Sequence, residues 1–405
     1  MNRVDFDVII AGAGAAGSVA AYTLTQGGLR TLVVDKSRLP RYKPCGGAIP
    51  RLTLDRLPFA VEGVIRATPA EVRITFPGCP HTDVPLPGGP VVMVIRSEFD
   101  ALLLARSGAE VLDGTAITSV TETGDGVQVR LGNRHLSART LVGADGAFSQ
   151  VARSLGLRPR RQLCGALEAE VPLDDGLRTE YGNRALFALG VIPGGYAWVF
   201  PKGDCLSVGI GRFRPGRGDL RAALTGEMAR LGIRLDGVRV QGHPIPCYQS
   251  PPWPLWNRRT QEKLSTRRCL LVGDAAGLVD PLIGEGIRYA ITSGRLAAEA
   301  ILQEDLAVYE SRIWREIGHS LATAGMAARL FYRWPRRCYE LGVRNPAIVR
   351  LFLDLLADRA SYQGIGRRLI ASTVRWLVQS TPRTLGQSDL ERTGKDDPGS
   401  GLSRR

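Results

Sequence analysis

Hydrophobic and polar positions change period several times along the chain, and those changes mark out its elements. Residues 4–11, Val-Asp-Phe-Asp-Val-Ile-Ile-Ala, form a β-type run that ends on glycine. Gly12-Ala13-Gly14-Ala15-Ala16-Gly17 follows, and a helical stretch from Ser18 to Gln26 is stopped by Gly27-Gly28. Thr31-Leu32-Val33-Val34 predicts a second buried strand ending at Asp35, so a strand–helix–strand unit closes within about 32 residues. Residues 111–130 read as hairpin strands, and Thr140-Leu141-Val142-Gly143-Ala144-Asp145 as a strand with a glycine-bearing end. Between 165 and 250, short β-type runs alternate with Gly/Pro turns, which predicts an antiparallel sheet. Cys269-Leu270-Leu271-Val272-Gly273-Asp274 predicts another buried strand, leading through a glycine-rich loop into a helix that reaches about Leu302. The pattern is then helical to Ser380, with apolar clusters at Leu351-Phe352-Leu353 and Leu355-Leu356. Residues 386–405 are polar and rich in Gly, Ser and charge, and read as a disordered tail.

Composition narrows what these elements build. At roughly 150 residues per domain, the length allows two or three domains. With 44% apolar and 23% charged residues, the chain can form a packed core. The 48 glycines follow no three-residue period, so they serve turns rather than a collagen helix. No apolar run is long enough for a conventional membrane span. Asp5 and Asp7 stand where a secretory leader carries positive charge, so a cytoplasmic, unprocessed chain is expected. The seven cysteines contain no CxxC pair and the four histidines no HxxxH or HExxH, so free thiols and no protein-bound metal are expected.

Charge adds one feature. The net charge is +14, only five of the 53 basic residues are lysines, and 13 arginines face five acids between residues 310 and 383. That excess suits an anionic partner: nucleic acid, a diphosphate or an acidic membrane. No zinc-finger spacing or aromatic-interleaved motif accompanies it, so no nucleic-acid partner is expected. Arg329, Arg333, Arg336 and Arg337 stand among Leu330, Phe331, Trp334 and Tyr339, a mixture suited to an anionic headgroup layer and equally to a solvated helix face.

The glycine run at 12–17 gains meaning from its setting after a strand and before a helix. Gly12 suits a tight turn, Gly14 a close approach of pyrophosphate to backbone, and Gly17 the packing of helix on strand. Ala15 and Ala16 open the helix, whose N-terminus offers free N–H groups to phosphates. Asp35, followed by Lys36, is placed to accept hydrogen bonds from ribose hydroxyls. Two further strand ends carry Gly143-Ala144-Asp145-Gly146 and Gly273-Asp274-Ala275-Ala276-Gly277, the second followed by Gly284-Glu285-Gly286-Ile287.

Spread along the chain in this order, these segments resemble the FAD-binding, hydroxylase-like flavoprotein superfamily. The resemblance implies an FAD site that includes Asp145 and Gly146, with Gly273 and Asp274 toward the ribityl chain. It also implies that the helix start at Gly284, Glu285, Gly286 and Ile287 lies against the flavin pyrimidine, and that Arg96 reaches toward the cofactor. Lys43-Pro44-Cys45-Gly46-Gly47-Ala48-Ile49-Pro50 and Tyr196-Ala197-Trp198-Val199-Phe200-Pro201-Lys202 are similar to motifs of geranylgeranyl reductases. In that family the first is a loop near the flavin and the second lines an isoprenoid tunnel. His243-Pro244-Ile245-Pro246 and Phe331-Tyr332-Arg333 look most like the chlorophyll-branch enzymes of phototrophs, whereas the stretch 278–283 is nearer the general superfamily pattern.

The resemblance implies an α/β fold: a Rossmann-like FAD-binding domain (1–50, 96–160 and 265–302) interleaved with an antiparallel-sheet substrate domain (51–95 and 161–264). A C-terminal helical region (303–385) and the tail complete it. The implied activity is FAD-dependent saturation of C=C bonds in a geranylgeranyl group, with NADPH as reductant. Cys45 is the implied catalytic residue, as tuner or proton donor, with Cys45, Gly46 and Gly47 also at the flavin. Tyr196, Trp198 and Phe200 are the implied substrate contacts. Read from the residues by themselves, Cys45 equally suits a small buried position, the three aromatics any half-buried strand, and His243 and Glu285 solvated loops. The rival functions are a glycerolipid or quinone isoprenoid reductase, a flavin monooxygenase on the same fold, and an isoprenoid carrier without flavin. Peripheral attachment to an anionic inner or thylakoid membrane is a further expectation.

Overall fold

The computed structural model describes residues 4–250 and 263–362. They belong to one compact unit, Met1–Gly364. The expected tail, and the helical pattern beyond residue 362, lie outside the described residues.

The first sheet is built on the short β-rich runs. Its strands lie in the order Glu110–Leu112, Thr31–Val34, Phe6–Ala11, Arg134–Gly143, Val127–Leu131 and Ser119–Glu122. Cys269–Leu271 pairs in parallel with the far end of Arg134–Gly143, where Leu141 faces Cys269. The three strand ends that carry Gly12, Gly143 and Gly273 therefore point the same way, because all three strands are parallel. Helices Ala15–Gln26 and Ile287–Leu302 pack on this sheet and on each other, around a core that includes Ile9, Ile10, Leu141, Leu270 and Leu296.

The second sheet runs Gln241–Tyr248, Arg161–Pro172, Cys205–Arg212, Gly195–Pro201, Arg184–Leu189, Glu71–Thr75 and Thr82–Pro85. It is antiparallel except where Arg184–Leu189 meets Glu71–Thr75 in parallel. A small third sheet joins Ala48–Pro50, Val91–Val94 and Ile65–Ala67. Helices His319–Arg333, Pro335–Arg344 and Pro346–Leu356 follow, and Tyr339 and Phe352 pack against the aromatic side of the second sheet.

Four sequence expectations change in detail. The first helix begins at Ala15 rather than Ser18, since the alanines already take helical geometry. Residues 111–130 form only one hairpin, Ser119–Glu122 with Val127–Leu131, because Glu110–Leu112 pairs with Thr31–Val34 instead. The strand at 269–274 stops at Leu271, where Gly273 (φ +54°) turns the chain into a 3₁₀ segment. The strand Gly195–Pro201 is buried on both faces, with Tyr196, Trp198 and Phe200 on one and Ala197 and Val199 on the other.

No helix among the described residues is long and apolar enough to cross a membrane. The crossing of the first helix and Ile287–Leu302 depends on Gly294, because a Cβ there would stand 2.2 Å from the carbonyl oxygen of Ala16. Gly294→Ala should force the helices apart and cost about 1–3 kcal/mol. A lowered urea midpoint with an unchanged slope is the expected reading, and an unchanged midpoint would show that the crossing yields freely.

Candidate active site

A single cavity of about 560 Å³ extends from the glycine loop of the first sheet to the aromatic face of the second. Gly12, at the turn, has φ +107°, and a Cβ there would stand 2.4 Å from the carbonyl oxygen of Ala144, so only glycine fits. Gly14 faces space in which only Arg41 Nη2 approaches, at 3.6 Å from where a Cβ would be. That loop is a cradle for a phosphate group, with the helix N-terminus behind it.

Polar groups surround the cradle. Asp35, 6% exposed, accepts from the Ala13 N–H at 2.8 Å and, through its other oxygen, from the Ser37 N–H at 2.8 Å. Each oxygen keeps a second lone pair for a hydroxyl group. Arg41 lies 3.9 Å from Asp35 and 3.7 Å from Asp100, while Lys43 lies 3.6 Å from Asp274. Buried Arg96 makes a two-pronged ion pair with Asp100, at 2.9 and 2.8 Å, which holds its guanidinium firmly charged. Asp145 Oδ2 accepts from the N–H groups of Gln150 and Val151, and its buried Oδ1 has no hydrogen-bond partner among the described residues. His243 Nε2 is likewise unpartnered, and burial beside Lys43 pulls the imidazole down to about 4, so it is neutral near pH 7. A glycine cradle flanked by Arg41, an acid at the strand end and unsatisfied polar atoms on the wall fit a dinucleotide such as FAD.

Between the two ends of the cavity, residues 41–47 cross without regular structure. Cys45 Sγ accepts from the Gly47 N–H at 3.4 Å and touches the Arg96 guanidinium. Beneath the loop, Lys202 is 2% exposed, and its ammonium donates to the Cys45 carbonyl at 2.9 Å and to Glu170 at 3.4 Å. Glu168, 3.8 Å from Lys202, accepts from the Tyr42 hydroxyl and, at 2.8 Å, from Ser207. Ser207 in turn accepts from the Trp198 indole at 3.3 Å. Burial pushes the Glu168 carboxyl above its usual range, opposed by the Lys202 charge.

The far end is apolar. Tyr196, Trp198 and Phe200 line it with Phe187 and Phe213, and ring centroids are 5.1 Å apart for Phe187–Phe200 and 5.0 Å for Tyr196–Phe213. The Tyr196 hydroxyl donates to the Ile283 carbonyl, tying the aromatic strand to the loop before Ile287–Leu302. The C-terminal helices close this end: Leu356 lines it, Phe352 meets Phe187 edge-on, and Tyr332 donates to the Leu282 carbonyl at 2.7 Å.

The structure brings most of the sequence-derived candidates into one cavity. Gly12, Gly14, Ala15, Ala16, Asp35, Lys36, Cys45, Gly46, Gly47, Arg96, Asp145, Gly146, Asp274, Gly284, Glu285, Gly286 and Ile287 all line the cavity, as do the three aromatics. Gly17 and Gly273 do not reach it. A Cβ on Gly17 would meet the Gly12 carbonyl oxygen at 2.0 Å, and one on Gly273 would meet Ala16 Cβ at 3.2 Å, so both are packing positions. His243 and Glu285 are enclosed rather than solvated. The roles of Arg41, Tyr42, Glu168 and Lys202 escaped the sequence reading because no local pattern marks them: Tyr42, Glu168 and Lys202 meet partners more than a hundred residues away, and Arg41 meets Asp35 and the helical Asp100.

Lys202 tests how the loop is held. Lys202→Met leaves Glu168 buried without its cation and should cost about 3–5 kcal/mol, the range for breaking a buried pair. Adding Glu168→Gln should return part of that loss in denaturant titrations. Simple additivity of the two losses would show that the charges do not interact.

Residues 5–303 match the family model described as an FAD binding domain. A geranylgeranyl diphosphate reductase of Rhodobacter capsulatus is 33% identical over 315 residues, covering 73% of this chain and 75% of that protein. A digeranylgeranylglycerophospholipid reductase of Methanosphaera stadtmanae is 32% identical over 342 residues, covering 75% and 80%. The solved structure of a geranylgeranyl bacteriochlorophyll reductase-like protein from Thermoplasma acidophilum shares the fold, with a TM-score of 0.69 at 24% identity over 81% of this chain and 87% of that one. On this family match and this similarity over most of both proteins, the chain belongs to the geranylgeranyl reductase family of FAD-binding flavoproteins.

Proposed function

We propose that the protein saturates C=C bonds of a geranylgeranyl group carried on a diphosphate or a chlorophyllide ester, using FAD reduced by NADPH. The observation that supports this most is the continuity of the cavity: the dinucleotide cradle and the aromatic chamber share one space. When bound, FAD supplies the hydride. The protein's own task is alignment, since an isolated alkene develops no oxyanion that a hydrogen-bond donor could hold. Arg41 and the glycine loop hold phosphate, Asp35 holds ribose, and the ring faces of Phe187, Tyr196, Trp198 and Phe200 hold the isoprenoid in register. The C-terminal helices keep water from the reacting carbons. Cys45, fixed between the Gly47 N–H and Arg96, tunes the electrostatics where the two ends meet.

The archaeal relative's name places the same chain on a glycerophospholipid, so a glycerolipid acceptor is the second reading. Anaerobic incubation of NADPH-reduced enzyme with geranylgeranyl diphosphate, geranylgeranyl chlorophyllide and a digeranylgeranyl glycerophospholipid, followed by mass analysis, separates them. Turnover of the glycerophospholipid alone selects the second reading. Oxygenated product in air, without saturated product under any condition, would replace both with a monooxygenase.

A substrate this apolar is collected at a bilayer surface. Leu330, Trp334 and Leu341 are about half exposed on the helices that close the chamber, and Arg333 lies over the Trp334 ring at 5.8 Å. Arg329, Arg336 and Arg337 are also exposed there, so one face offers cations beside interfacial side chains. On this reading the protein docks peripherally on an anionic inner or thylakoid membrane.

Trp198→Ala should lower turnover of long isoprenoids by about 100-fold while flavin content and NADPH oxidation with artificial acceptors persist. Equal loss of both activities would mark Trp198 as a core residue. In liposome flotation, binding should need anionic lipid, fall with salt, and weaken with each of Arg336→Glu and Arg337→Glu. Binding that ignores salt and those charges would retire the electrostatic part.

A further inference from the structure

Between the aromatic chamber and the C-terminal helices lies a buried cluster of acids that alignment of the substrate does not use. Glu285 lines the cavity, and neither of its carboxyl oxygens finds a hydrogen-bond partner among the described residues. Its nearest cation is Arg288, with Nη2 2.9 Å from Oε2. Arg288 Nη1 donates to Asp358 and Nη2, at 2.7 Å, to the Tyr289 hydroxyl, while its Nε has no partner among the described residues. Asp280, fully buried, accepts from the Leu282 and Ile283 N–H groups at 2.7 and 3.2 Å and interacts with Tyr362. Arg56 reaches Asp358 at 2.7 Å but is itself largely exposed. The Tyr196 hydroxyl faces the cluster from the aromatic strand.

Charge balance decides which form the cluster takes. Three carboxyl groups, Asp280, Glu285 and Asp358, share one buried guanidinium and one solvent-screened guanidinium. Burying the surplus negative charge is costly, so one carboxyl keeps its proton. Asp280 has backbone donors on Oδ1 only, with Oδ2 buried and unpartnered among the described residues, and it lies off the cavity; Asp358 has both arginines. Glu285 has no aligned donor, and it alone of the three lines the cavity.

Resting on the reductase reading above, we propose that Glu285 is the catalytic acid that protonates the substrate double bond. The Glu285 O–H bond breaks as a C–H bond forms at one alkene carbon, drawing on the π pair. The other carbon takes the hydride that the reduced cofactor supplies, so one proton and one hydride add across the bond. Arg288 steadies the carboxylate left behind, which regains its proton from water between turnovers. Cys45 is less suited to this role, since its sulfur faces two donors, the Gly47 N–H and Arg96. Asp358 is a positioning residue, holding Arg288 away from full alignment with Glu285.

Burial and the neighbouring Asp280 and Asp358 push the Glu285 carboxyl up to about 7, against the pull of Arg288. The acid acts in its protonated form, so turnover should fall as pH rises through about 7. Infrared titration of cofactor-free protein should show a protonated carboxyl band that disappears near neutral pH and is absent in Glu285→Gln. The same variant, with backbone contacts intact, should keep its flavin yet reduce the geranylgeranyl double bond about 100-fold more slowly, without the alkaline limb. Asp358→Asn removes a negative neighbour and frees Arg288, so both the band and the alkaline limb should move to lower pH. Wild-type turnover and an unchanged pH profile in Glu285→Gln would falsify the assignment, as would a wild type without the band. A wild type that shows the band but reduces no isoprenoid overturns the reductase reading and, with it, the proton's destination; a missing band beside normal reduction overturns the inference alone.

Discussion

A segment without a hydrogen-bond ladder of its own must be held by side chains, and here that segment joins the two halves of the site. Residues 41–47 cross between the glycine cradle and the aromatic chamber as irregular chain. Arg41 anchors one end through Asp35 and Asp100, and Lys43 binds it to Asp274. Lys202 rises from the second sheet to satisfy the Cys45 carbonyl, while Tyr42 is taken up by Glu168. An unpaired carbonyl at that depth would cost about 1–3 kcal/mol, so the ammonium is the simplest way to bury the loop. The ion pairs come from both sheets, and the loop therefore fixes their relative placement as much as they fix the loop.

What the sequence reveals follows from range. The parallel strands that end at Gly12, Gly143 and Gly273 are legible because each is a short β-rich run followed by glycine, and a dinucleotide cradle requires that order. The aromatic strand is legible as a strand from its alternation. Its environment is not, because a strand buried on both faces and one buried on a single face differ mainly in their neighbours. Ala197 and Val199 look unremarkable beside the three aromatics, yet they pack on Leu206, Val208 and Leu224. Tyr196, Trp198 and Phe200 are thus core residues and cavity walls at once, which dissolves the choice between packing and function. The partners of the loop are the least legible: Tyr42 with Glu168 and Lys202 with Cys45 are separated by 126 and 157 residues. The resemblance places 51–95 with the second sheet, but that Glu71–Thr75 joins it in parallel is hidden, since parallel pairing carries no local turn signal.

The closing helices show how one amphipathic element serves two surroundings. Tyr332 and Tyr339 turn their hydroxyls onto carbonyls of Leu282 and of Ile74 and Pro80, sealing the chamber with satisfied polar groups. Leu330, Trp334 and Leu341, on the same helices, remain exposed. A helix bundle that needed only to close a core would leave polar residues outside. If the protein docks on a bilayer as proposed, these two apolar aspects would leave bilayer and chamber separated by the thickness of a helix, a short path for a chain too apolar for water.

On the proposal that Glu285 is the acid, Arg288 links that cap to the chemistry. Asp358 follows the last described helix at φ +57°, a left-handed conformation that costs a non-glycine residue about 1–2 kcal/mol. The turn is held there by ion pairs to Arg288 and Arg56, so the backbone cost is offset by contacts that exist only while the cap is seated. Lifting the cap removes Asp358 from Arg288 and lets the guanidinium align with Glu285. The carboxyl would then hold its proton less firmly. On that proposal the seating of the cap and the acidity of Glu285 are coupled, because the turn that holds Arg288 off Glu285 belongs to the cap.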